Sequence, residues 1–445
     1  MTNSVDKPFV SADTEFVFEY EVRDNKIVRI LRNGDDWSSL SLRLAPGLKR
    51  LTTSNPKKAW WLSRLRSCED FRTKVAPSQV LRVVDLFSGC GGMSFGLKEA
   101  AAQLGIELDF RLAADTDATA AEVYKRNLSP KYFLNGNVDK GIDYRLVFRG
   151  ESTSLAYPPE LEHPLLRALG SVDIVIGGPP CRGYSNLNNR TRRSDDRNSL
   201  YLTVPAIGIT LSARIIIIEN VLSVLHSKPN VVIQAKQILS ANGYGIDEVI
   251  LDATKYGVAQ TRKRHFLIAV RDRALEILGI AHTLETLENS EYLTVDDAIG
   301  DLEKPDGDSP FDTPASISDE NKRRIDFMFE NGLYNLPNSE RPECHKAGHT
   351  YPSVYGRLHK DEPAGTITGG FLSPGRGRFT HYSQRRGLTP HEGARIQGFP
   401  DFYKFEVSGE APLDNKSYSR LIGDAVPPPM AAAVALGALL STNLH

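Results

Sequence analysis

The sequence has few cysteines, no long apolar run and almost no net charge, and each of these absences excludes a class of protein. The four cysteines (Cys68, Cys90, Cys181 and Cys344) are scattered without a C-x-x-C pair, which argues against a zinc site and against a disulfide framework. With no bilayer-spanning run and no signal peptide, a cytoplasmic protein without membrane contact is expected. The formal net charge of −1 excludes a polycation, so nucleic-acid binding would depend on local patches.

The first part of the chain has the pattern of a separate module. At 445 residues the sequence is long enough for two or three domains. Residues 16–22 alternate between apolar and polar side chains, and residues 26–31 follow across an Asp24-Asn25 turn, so the pattern predicts two paired strands. We therefore predict that residues 1–80 form a β-rich accessory extension.

One cysteine follows a buried strand and a stiff turn. Residues 172–176 form a short apolar run of the kind found in parallel sheets, and Gly177-Gly178-Pro179-Pro180 ends it. Because the prolines fix the turn, Cys181 is expected at the carboxyl edge of the sheet, where open α/β sheets bind their ligands. A thiol in that position is a candidate nucleophile. The alternative is that Cys181 is one more small buried apolar residue.

A glycine-rich turn lies between a predicted strand and a predicted helix. The sequence Asp85-Leu86-Phe87-Ser88-Gly89-Cys90-Gly91-Gly92-Met93 lets the backbone approach a ligand closely and offers free N–H groups at the helix start. Its spacing differs from G-x-G-x-x-G, which disfavours a dinucleotide phosphate site. Asp115, at the end of the next strand, is placed to bind ribose hydroxyls, whereas Asp117 fits a helix N-cap. Asn137, after a third strand, either bonds an adenine edge or only forms a turn.

Two further strands carry charged side chains. Residues 214–221 form a β-branched strand, and the carboxyl group of Glu219 near its end should have a raised pKa and carry a proton near neutral pH. The alternative role of Glu219 is to cap the following helix. Alternation in the next predicted strand puts Gln260, Arg262 and Arg264 on one face. Two guanidinium groups there suit a pyrimidine carbonyl, a phosphate or the Glu219 carboxylate.

Polar and glycine-rich segments of the second half suit contact with nucleic acid. The loop after Cys181 is basic and lacks apolar anchors, so it either closes over a phosphate backbone or is a solvated surface loop. Residues 271–365 contain proline and asparagine clusters, which predict an inserted small domain with little regular structure. Arg376-Gly377-Arg378 has the composition of a backbone pressed against nucleic acid. Residues 387–400 predict a helix with Thr389 as its N-cap, and the chain ends in an alanine-rich helix.

Six motifs, in this order, resemble those of the DNA (cytosine-5) methyltransferases of bacterial restriction–modification type. They cover residue 81 to the C-terminus without most of the insert, and they are the glycine turn at 85–93, Gly178-Pro179-Pro180-Cys181, Glu219-Asn220-Val221, Gln260-Thr261-Arg262-Lys263-Arg264, residues 386–400 and residues 423–428. The resemblance implies an α/β fold, the doubly wound Rossmann-like sheet of S-adenosylmethionine-dependent methyltransferases. It also implies four parts: an N-terminal accessory extension (1–80), a catalytic and cofactor-binding domain (81–275), a smaller irregular target-recognition domain (276–380) and a C-terminal part that returns to the catalytic domain (381–445).

The resemblance further implies a role for each matching residue. Cys181 would attack C6 of a cytosine flipped out of duplex DNA, Glu219 would protonate N3, and two arginines would hold the ring carbonyl (Arg264) and organise the site (Arg262). The cofactor S-adenosyl-L-methionine is expected on Asp85, Phe87, Ser88, Gly89, Gly91, Gly92, Met93, Asp115, Thr116, Asn137, Pro179 and Asp424. DNA contacts are expected from Arg182, Ser185, Asn186, Arg190, Arg197, Gln260, Arg376 and Arg378, and no metal is required. The chain departs from the family pattern at four positions: Arg182 stands for Gln, Thr116 for a larger apolar residue, Asn137 for Asp and Asp424 for Asn.

The function that follows is sequence-specific methylation of cytosine C5 in duplex DNA, as the modification enzyme of a restriction–modification system. A monomer is expected because a duplex target needs no two-fold protein, and a cognate restriction endonuclease is expected to be encoded nearby. One alternative is a tRNA cytosine-5 methyltransferase, although the Cys-Phe-Thr motif of that branch is absent. Another is a catalytically weak DNA-binding relative, which the presence of all four catalytic residues disfavours.

Overall fold

The computed structural model describes residues 16–33, 36–71, 79–180, 200–271, 280–302, 309–343, 353–407 and 412–442 of the chain. Its strands are β1 (Phe16–Arg23), β2 (Lys26–Asn33), β3 (Asp36–Arg43), β4 (Gln79–Leu86), β5 (Ile106–Asp115), β6 (Tyr132–Asn135), β7 (Ile142–Asp143), β8 (Leu146–Arg149), β9 (Ser152–Leu155), β10 (Glu160–Leu161), β11 (Ile174–Gly177), β12 (Ile215–Asn220), β13 (Tyr244–Asp252) and β14 (Lys263–Arg271). Its α-helices are α1 (Leu51–Ser54), α2 (Pro56–Leu65), α3 (Gly92–Gln103), α4 (Ala118–Leu128), α5 (Pro164–Arg167), α6 (Leu200–Thr210), α7 (Val231–Ala241), α8 (Ile280–Leu287), α9 (Val295–Ile299), α10 (Asp319–Glu330), α11 (Pro390–Ile396), α12 (Asn415–Asp424) and α13 (Pro428–Leu440).

A seven-stranded sheet in the order β13-β14-β12-β11-β4-β5-β6 forms the centre of the molecule. The strands from β12 to β6 are parallel, and β14 runs antiparallel to both of its neighbours. Alternate residues of β11 belong to two separate apolar clusters, with Ile174 and Ile176 in one and Val175 in the other, so both faces of the sheet are covered. The carboxyl ends of β4, β5, β11 and β12 therefore meet at one edge. This architecture confirms the predicted α/β fold class.

The N-terminal strands form a three-stranded antiparallel sheet, as the alternating pattern predicts for the first two. Asp24 and Asn25 have φ of 46° and 59°, the conformation of a tight hairpin turn. Helix α2 packs directly against α3, where Arg64 Nε donates a hydrogen bond of 2.7 Å to Glu99 Oε2. The extension is β-rich at its start, as predicted, and it shares a buried charged contact with the rest of the chain.

The inserted segment contains more regular structure than its composition predicts. Helices α8, α9 and α10 lie within it. Helix α8 packs on α13, where a Cβ atom placed on Gly437 would lie 2.8 Å from Ile280 Cγ2. Helix α9 begins with a capping box between Thr294 and Asp297. The prediction of little regular structure is wrong for two reasons. Helices α8 and α9 are short, and packing on the core stabilises them more than their own sequence does, whereas α10 packs through Ile325 and Met328 in a small separate apolar cluster.

The C-terminal helices form the apolar run Asn415–Leu440, which by length and composition is long enough to cross a membrane. This differs from the prediction that no such run exists. In its most apolar window 89% is buried inside the protein. Helix α13 packs so closely on α3 that a Cβ atom on Gly96 would lie 2.4 Å from Pro428 O. Such burial is typical of a core helix.

Candidate functional site

The glycine loop (residues 87–92) is a tight turn between β4 and α3. Ser88 N donates to Ala114 O at 2.9 Å, and Gly91 N donates to Ser88 O at 3.0 Å. Gly91 has a φ of 94°, and a Cβ atom placed on it would lie 2.6 Å from Leu128 Cδ1, so the backbone and the packing both require glycine. Gly91 is also the N-cap of α3 and provides no side-chain cap, so the loop leaves helix N–H groups available to a ligand.

Asp115, at the end of β5, braces the glycine loop from the side. Its Oδ2 accepts from Gly89 N at 2.8 Å, and its Oδ1 accepts from Asp117 N at 2.9 Å. Burial raises the pKa of Asp115, although the backbone donors and Arg420 act against that rise. Asp117 accepts from the first-turn N–H groups of α4, which confirms its predicted N-cap role. Asp115 stays the predicted ribose ligand, since its carboxylate oxygens can accept further hydrogen bonds.

The surroundings of the loop fit the predicted methyl donor. Ser88 Oγ is buried and has no hydrogen-bond partner among the described residues, as expected of a group that a bound ligand completes. The space beside Gly89 is open, since nothing lies within 4 Å of a Cβ atom placed there. Phe87 has a φ of 58°, a strained conformation of the kind that clusters at functional sites. Thr116 and Asn137 are exposed where β5 and β6 end.

Three other predicted cofactor residues shape the loop from inside. Asp85 is 1% exposed and accepts from Ser94 Oγ at 2.6 Å, and burial raises its pKa to about 7. Met93 packs in the apolar core below the sheet edge. A Cβ atom on Gly92 would lie 2.4 Å from Val426 O. Asp85 therefore supports the loop from below, which corrects its predicted direct contact with the cofactor.

Buried Glu219 and half-buried Arg264 form an ion pair at the carboxyl edge of the sheet. Strand β12 ends at Asn220 and the antiparallel strand β14 begins beside it at Lys263, which brings the two charges together. Arg264 Nε lies 2.9 Å from Glu219 Oε1, and Glu219 is 8% exposed. Burial raises the pKa of Glu219, while Arg264 and Arg262 oppose that rise. The predicted direction of this pKa is confirmed, and the proton-transfer role stays a prediction.

The alternative role of Glu219, as a helix cap, is not the one observed. The short 3-10 helix that follows, Leu222–His226, has Val221 as its N-cap and receives no side-chain cap. Asn220 instead supports the neighbouring turn.

The proline loop (residues 177–180) passes beside Glu219. Asn220 Nδ2 donates to Pro179 O at 3.1 Å, and a Cβ atom on Gly178 would lie 3.6 Å from Glu219 Oε2. Pro179 is buried, and its contact with the cofactor stays a prediction. The candidate nucleophile follows directly on Pro180. It lies outside the described residues, together with five predicted DNA contacts of the same loop: Arg182, Ser185, Asn186, Arg190 and Arg197.

The Arg262 side chain is buried and donates hydrogen bonds to backbone carbonyl groups of two other segments. It is 4% exposed, and its Nη1 donates to Ile367 O at 2.7 Å. The same guanidinium donates to Gly423 O and Ala425 O at 3.2 Å. Arg262 therefore ties a loop of the recognition segment to the C-terminal segment, beside the Glu219 site, and this geometry suits the organising role that the resemblance implies.

Gln260 does not reach the surface. It is 0% exposed, its side-chain oxygen accepts from Ile367 N at 3.0 Å, and its Nε2 donates to Ile396 O at 3.1 Å. Strand β14 begins only at Lys263, so the predicted alternation does not include Gln260 or Arg262. The predicted DNA contact of Gln260 is wrong because its amide is fully used inside the protein.

Residues 423–426 lie between the glycine loop and the proline loop. Val426 O contacts the first loop, and Val426 Cγ2 would lie 4.0 Å from a Cβ atom on Gly178 in the second. Asp424 is exposed at the C-terminal end of α12. Sequence reasoning assigned Asp424 to the cofactor site but missed Val426. The available signal was the glycine at position 92, where a Cβ atom would lie 2.4 Å from Val426 O.

The two arginines of the Arg376-Gly377-Arg378 motif have different surroundings. Arg376 is exposed at the end of the 3-10 helix Pro374–Arg376. Arg378 is half-buried, with Nη1 donating to Tyr334 O at 2.9 Å and to Arg357 O at 2.8 Å, and Nη2 donating to Asn335 Oδ1 at 2.6 Å. Burial lowers the pKa of Arg378. These hydrogen bonds indicate a supporting role for Arg378, and the direct DNA contacts of Arg378 and Arg376 stay predictions.

The described cysteines and acidic residues carry no further chemistry at this site. Cys90 is buried in the glycine loop, its Sγ lies 3.2 Å from Leu421 O, and burial raises its pKa to about 12. Cys68 is exposed. Within the ranges that the structure describes, no group of three or more His, Cys, Asp or Glu side chains could hold a metal ion.

Comparison with known proteins places this site in a family. Residues 81–438 match the family model of C-5 cytosine-specific DNA methylases. The chain is 41% identical over 361 residues to type II methyltransferase M1.BsuMI of Bacillus subtilis strain 168, which covers 81% of this chain and 80% of the relative. It is 30% identical over 397 residues to type II methyltransferase M.DdeI of Desulfomicrobium norvegicum, with 80% and 88% covered. A crystal structure from E. coli, described as a DNA modification methyltransferase encoded within a prophage, shares the fold with a TM-score of 0.51 at 22% identity, over 80% of this chain and 98% of that chain. The chain therefore belongs to the C-5 cytosine-specific DNA methylase family and is an S-adenosylmethionine-dependent DNA cytosine-5 methyltransferase.

Proposed function

We propose that the enzyme methylates cytosine within a specific sequence of duplex DNA, through a covalent bond between Cys181 and a flipped-out base, as the modification enzyme of a restriction–modification system. The observation that carries the proposal is the ion pair between buried Glu219 and Arg264, beside the proline loop that leads into Cys181. Base flipping is required because the reacting ring atoms are not accessible within a stacked duplex. The type II names of both relatives support the restriction–modification role, and a nearby endonuclease gene stays a prediction.

The first half of the proposed reaction uses Cys181 and Glu219. The Cys181 thiolate forms a bond to C6 while N3 takes a proton from Glu219, so the electron pair of the C5–C6 double bond moves to C5 without leaving a negative charge on the ring. Glu219 suits this step because burial favours its protonated form. Arg264 and Arg262 limit the rise in its pKa, so Glu219 can both give and recover the proton.

The second half of the reaction transfers the methyl group and releases the product. S-adenosylmethionine supplies an electrophilic methyl group when it is bound at the glycine loop, and Ser88 Oγ, Asp115 and the N–H groups of α3 are the groups that would hold it. The electron pair at C5 would form the new carbon–carbon bond while the bond between the methyl group and the donor sulfur breaks, with that bonding pair returning to the donor sulfur and S-adenosylhomocysteine leaving. The C5 proton then leaves to solvent, the sulfur–C6 bond breaks with its electrons returning to Cys181, and N3 returns its proton to Glu219. The position of Val426, close to both Gly92 of the glycine loop and Gly178 of the proline loop, supports this arrangement because it brings the two loops together.

The experiment that tests the proposal is methyl transfer to plasmid DNA, mapped by bisulfite sequencing. Cytosines within one short recurring sequence should be protected by the wild-type enzyme. Cys181→Ser should give no protection, while the matched control Cys68→Ser, at an exposed cysteine of the N-terminal module, should behave as wild type. Protection by the Cys181→Ser enzyme, or protection without any recurring sequence, would contradict the proposal.

A further inference from the structure

The turn at residues 374–378 is packed so closely that its glycines are required. A Cβ atom on Gly375 would lie 2.9 Å from Tyr355 OH, and one on Gly377 would lie 2.6 Å from Phe379 Cε2. The turn also accepts a backbone hydrogen bond of 3.0 Å from Tyr355 N. These glycines therefore press against aromatic side chains of the protein itself, not against nucleic acid as the composition suggested, and they make the turn rigid.

The same turn holds Arg378 inward and Arg376 outward. The Arg378 guanidinium donates hydrogen bonds to Tyr334 O, Arg357 O and an asparagine side chain. Arg376 has an exposed guanidinium that makes no hydrogen bond or ion pair with the part of the chain that the structure describes. Its aliphatic stem is nevertheless fixed, because it lies across Gly370, where a Cβ atom would be 3.2 Å from Arg376 Cγ. The result is a charged planar group at the end of an ordered stem.

Gly370, which the Arg376 stem contacts, lies in a loop beside the predicted cofactor residue Asp424, since a Cβ atom on Gly369 would lie 2.7 Å from Asp424 Oδ1. The loop that contains Gly370 is held at Ile367 by two catalytic-motif side chains, since Arg262 donates to Ile367 O and Gln260 accepts from Ile367 N. Gly370 lies three positions after Ile367, a span of about 11 Å at most. Stacked base pairs are about 3.4 Å apart, so a span of this size corresponds to about three base pairs.

From this geometry we infer that Arg376 reads a guanine within about two base pairs of the target cytosine, and that Arg378 positions the turn that carries it. A guanidinium has N–H donors in a planar fork and no acceptor. In the major groove guanine offers two acceptors, O6 and N7, whereas adenine and cytosine each present an amino donor that would face the arginine and thymine has one acceptor beside its methyl group. A fixed stem directs the fork at base edges, whereas a phosphate contact needs no such direction.

The test uses a duplex library in which the bases flanking the target cytosine are varied, with methylation read by bisulfite sequencing. The wild-type enzyme should require guanine at one position within about two base pairs of the cytosine. Arg376→Ala should lower methylation of that sequence by about 10- to 100-fold and accept other bases at that position alone. Arg376→Lys, which keeps the charge but loses the fork, should relax the same position.

Two further variants separate a role in base recognition from a role in positioning the turn. Arg378→Ala should lower the melting temperature and slow methylation of all sequences alike, without relaxing any position. Arg323→Ala is the matched control, because Arg323 is an exposed arginine of the same segment that pairs with Glu340 at 2.9 Å, and it should change neither rate nor pattern.

The inference rests on the proposed function, and the outcomes tell the two apart. Full specificity in Arg376→Lys, or a uniform loss of DNA affinity in Arg376→Ala with a smaller salt dependence, would show a phosphate contact and overturn the reading role. A recognition sequence without guanine near the cytosine would overturn it as well and leave the proposed function standing. Wild-type enzyme that methylates no library member would overturn both.

Discussion

The buried charges between the N-terminal module and α3 lead to a prediction about stability. Glu99 is 0% exposed and lies between two buried arginines, with Arg64 Nε 2.7 Å from its Oε2 and Arg29 Nη2 3.8 Å from its Oε1. Glu99→Gln keeps the shape of the side chain but removes the counter-charge of both arginines. Breaking a buried ion pair by removing one partner costs about 3–5 kcal/mol, and a loss near the upper value is expected because two cations share Glu99.

The measurement is guanidinium chloride unfolding of the full chain, followed by tryptophan fluorescence. Trp60 is fully buried, with the Arg29 guanidinium 4.8 Å from its ring centre, so it reports on this region. The midpoint should fall while the slope stays unchanged. The matched control is Glu19→Gln, in an exposed pair with Arg32 at 2.8 Å, which should cost less than about 1 kcal/mol. A Glu99→Gln loss as small as that of the control would refute the reasoning.

Three further predictions concern the cofactor loop and the pH dependence of stability. Gly91→Ala should weaken S-adenosylmethionine binding at least about tenfold in titration calorimetry, because φ is 94° and the new methyl group would collide with Leu128. The control Gly105→Ala, with φ of 72° and open space around it, should bind the cofactor as wild type. Equal affinities of the two variants would contradict the role of the glycine loop. Burial raises the pKa of Asp85 from 3.8 to about 7, so the stability that its protonated form provides is complete below pH 3.8 and is lost as the pH rises through about 7. The free energy of unfolding should fall by about 4 kcal/mol over this range. Urea midpoints of Asp85→Asn should not show this fall. The ring nitrogens of His391 lie 2.7 and 3.0 Å from carboxylate oxygens of Asp312 and Asp401, and these carboxylates raise the pKa of His391 against the opposing effect of burial. The stability from these ion pairs is complete below pH 6.5 and is lost as the pH rises through the raised pKa. His391→Gln should therefore cost about 1–3 kcal/mol at about pH 6 and less at about pH 9, and an equal cost at both would argue against a charged ring.

The features that sequence predicts best are those that local physics decides. The glycine turn at 87–92 needs positive φ, so its glycines identify it before any packing is known. Asp117 caps α4 and Thr389 caps α11 through hydrogen bonds to N–H groups two or three residues away. Apolar runs such as β12 are buried on both faces, and the unbroken run of apolar side chains indicates this burial. In each of these cases the cause and the effect lie within a few residues of the chain.

The features that sequence does not predict depend on partners far along the chain. Gln260 looks like an exposed polar residue of a strand, but Ile367, more than a hundred positions later, supplies the backbone N–H that fixes it inside. Arg378 and Arg376 have similar local sequence, and only the carbonyl groups of Tyr334 and Arg357 decide which of them turns inward. Composition cannot show such choices, because it does not show which backbone groups are left without a partner.

The most direct test of the account is covalent trapping on a duplex that carries 5-fluorocytosine at the target position. Fluorine replaces the proton that has to leave C5, so the bond between sulfur and C6 cannot break after methyl transfer. With S-adenosylmethionine present, wild type and Cys68→Ser should give an adduct that survives a denaturing gel, Cys181→Ser should give none, and Glu219→Gln should form it about 10²- to 10⁴-fold more slowly. An adduct with Cys181→Ser, or no adduct with a wild-type enzyme whose cofactor binding is shown by calorimetry, would contradict the assignment of Cys181 and Glu219.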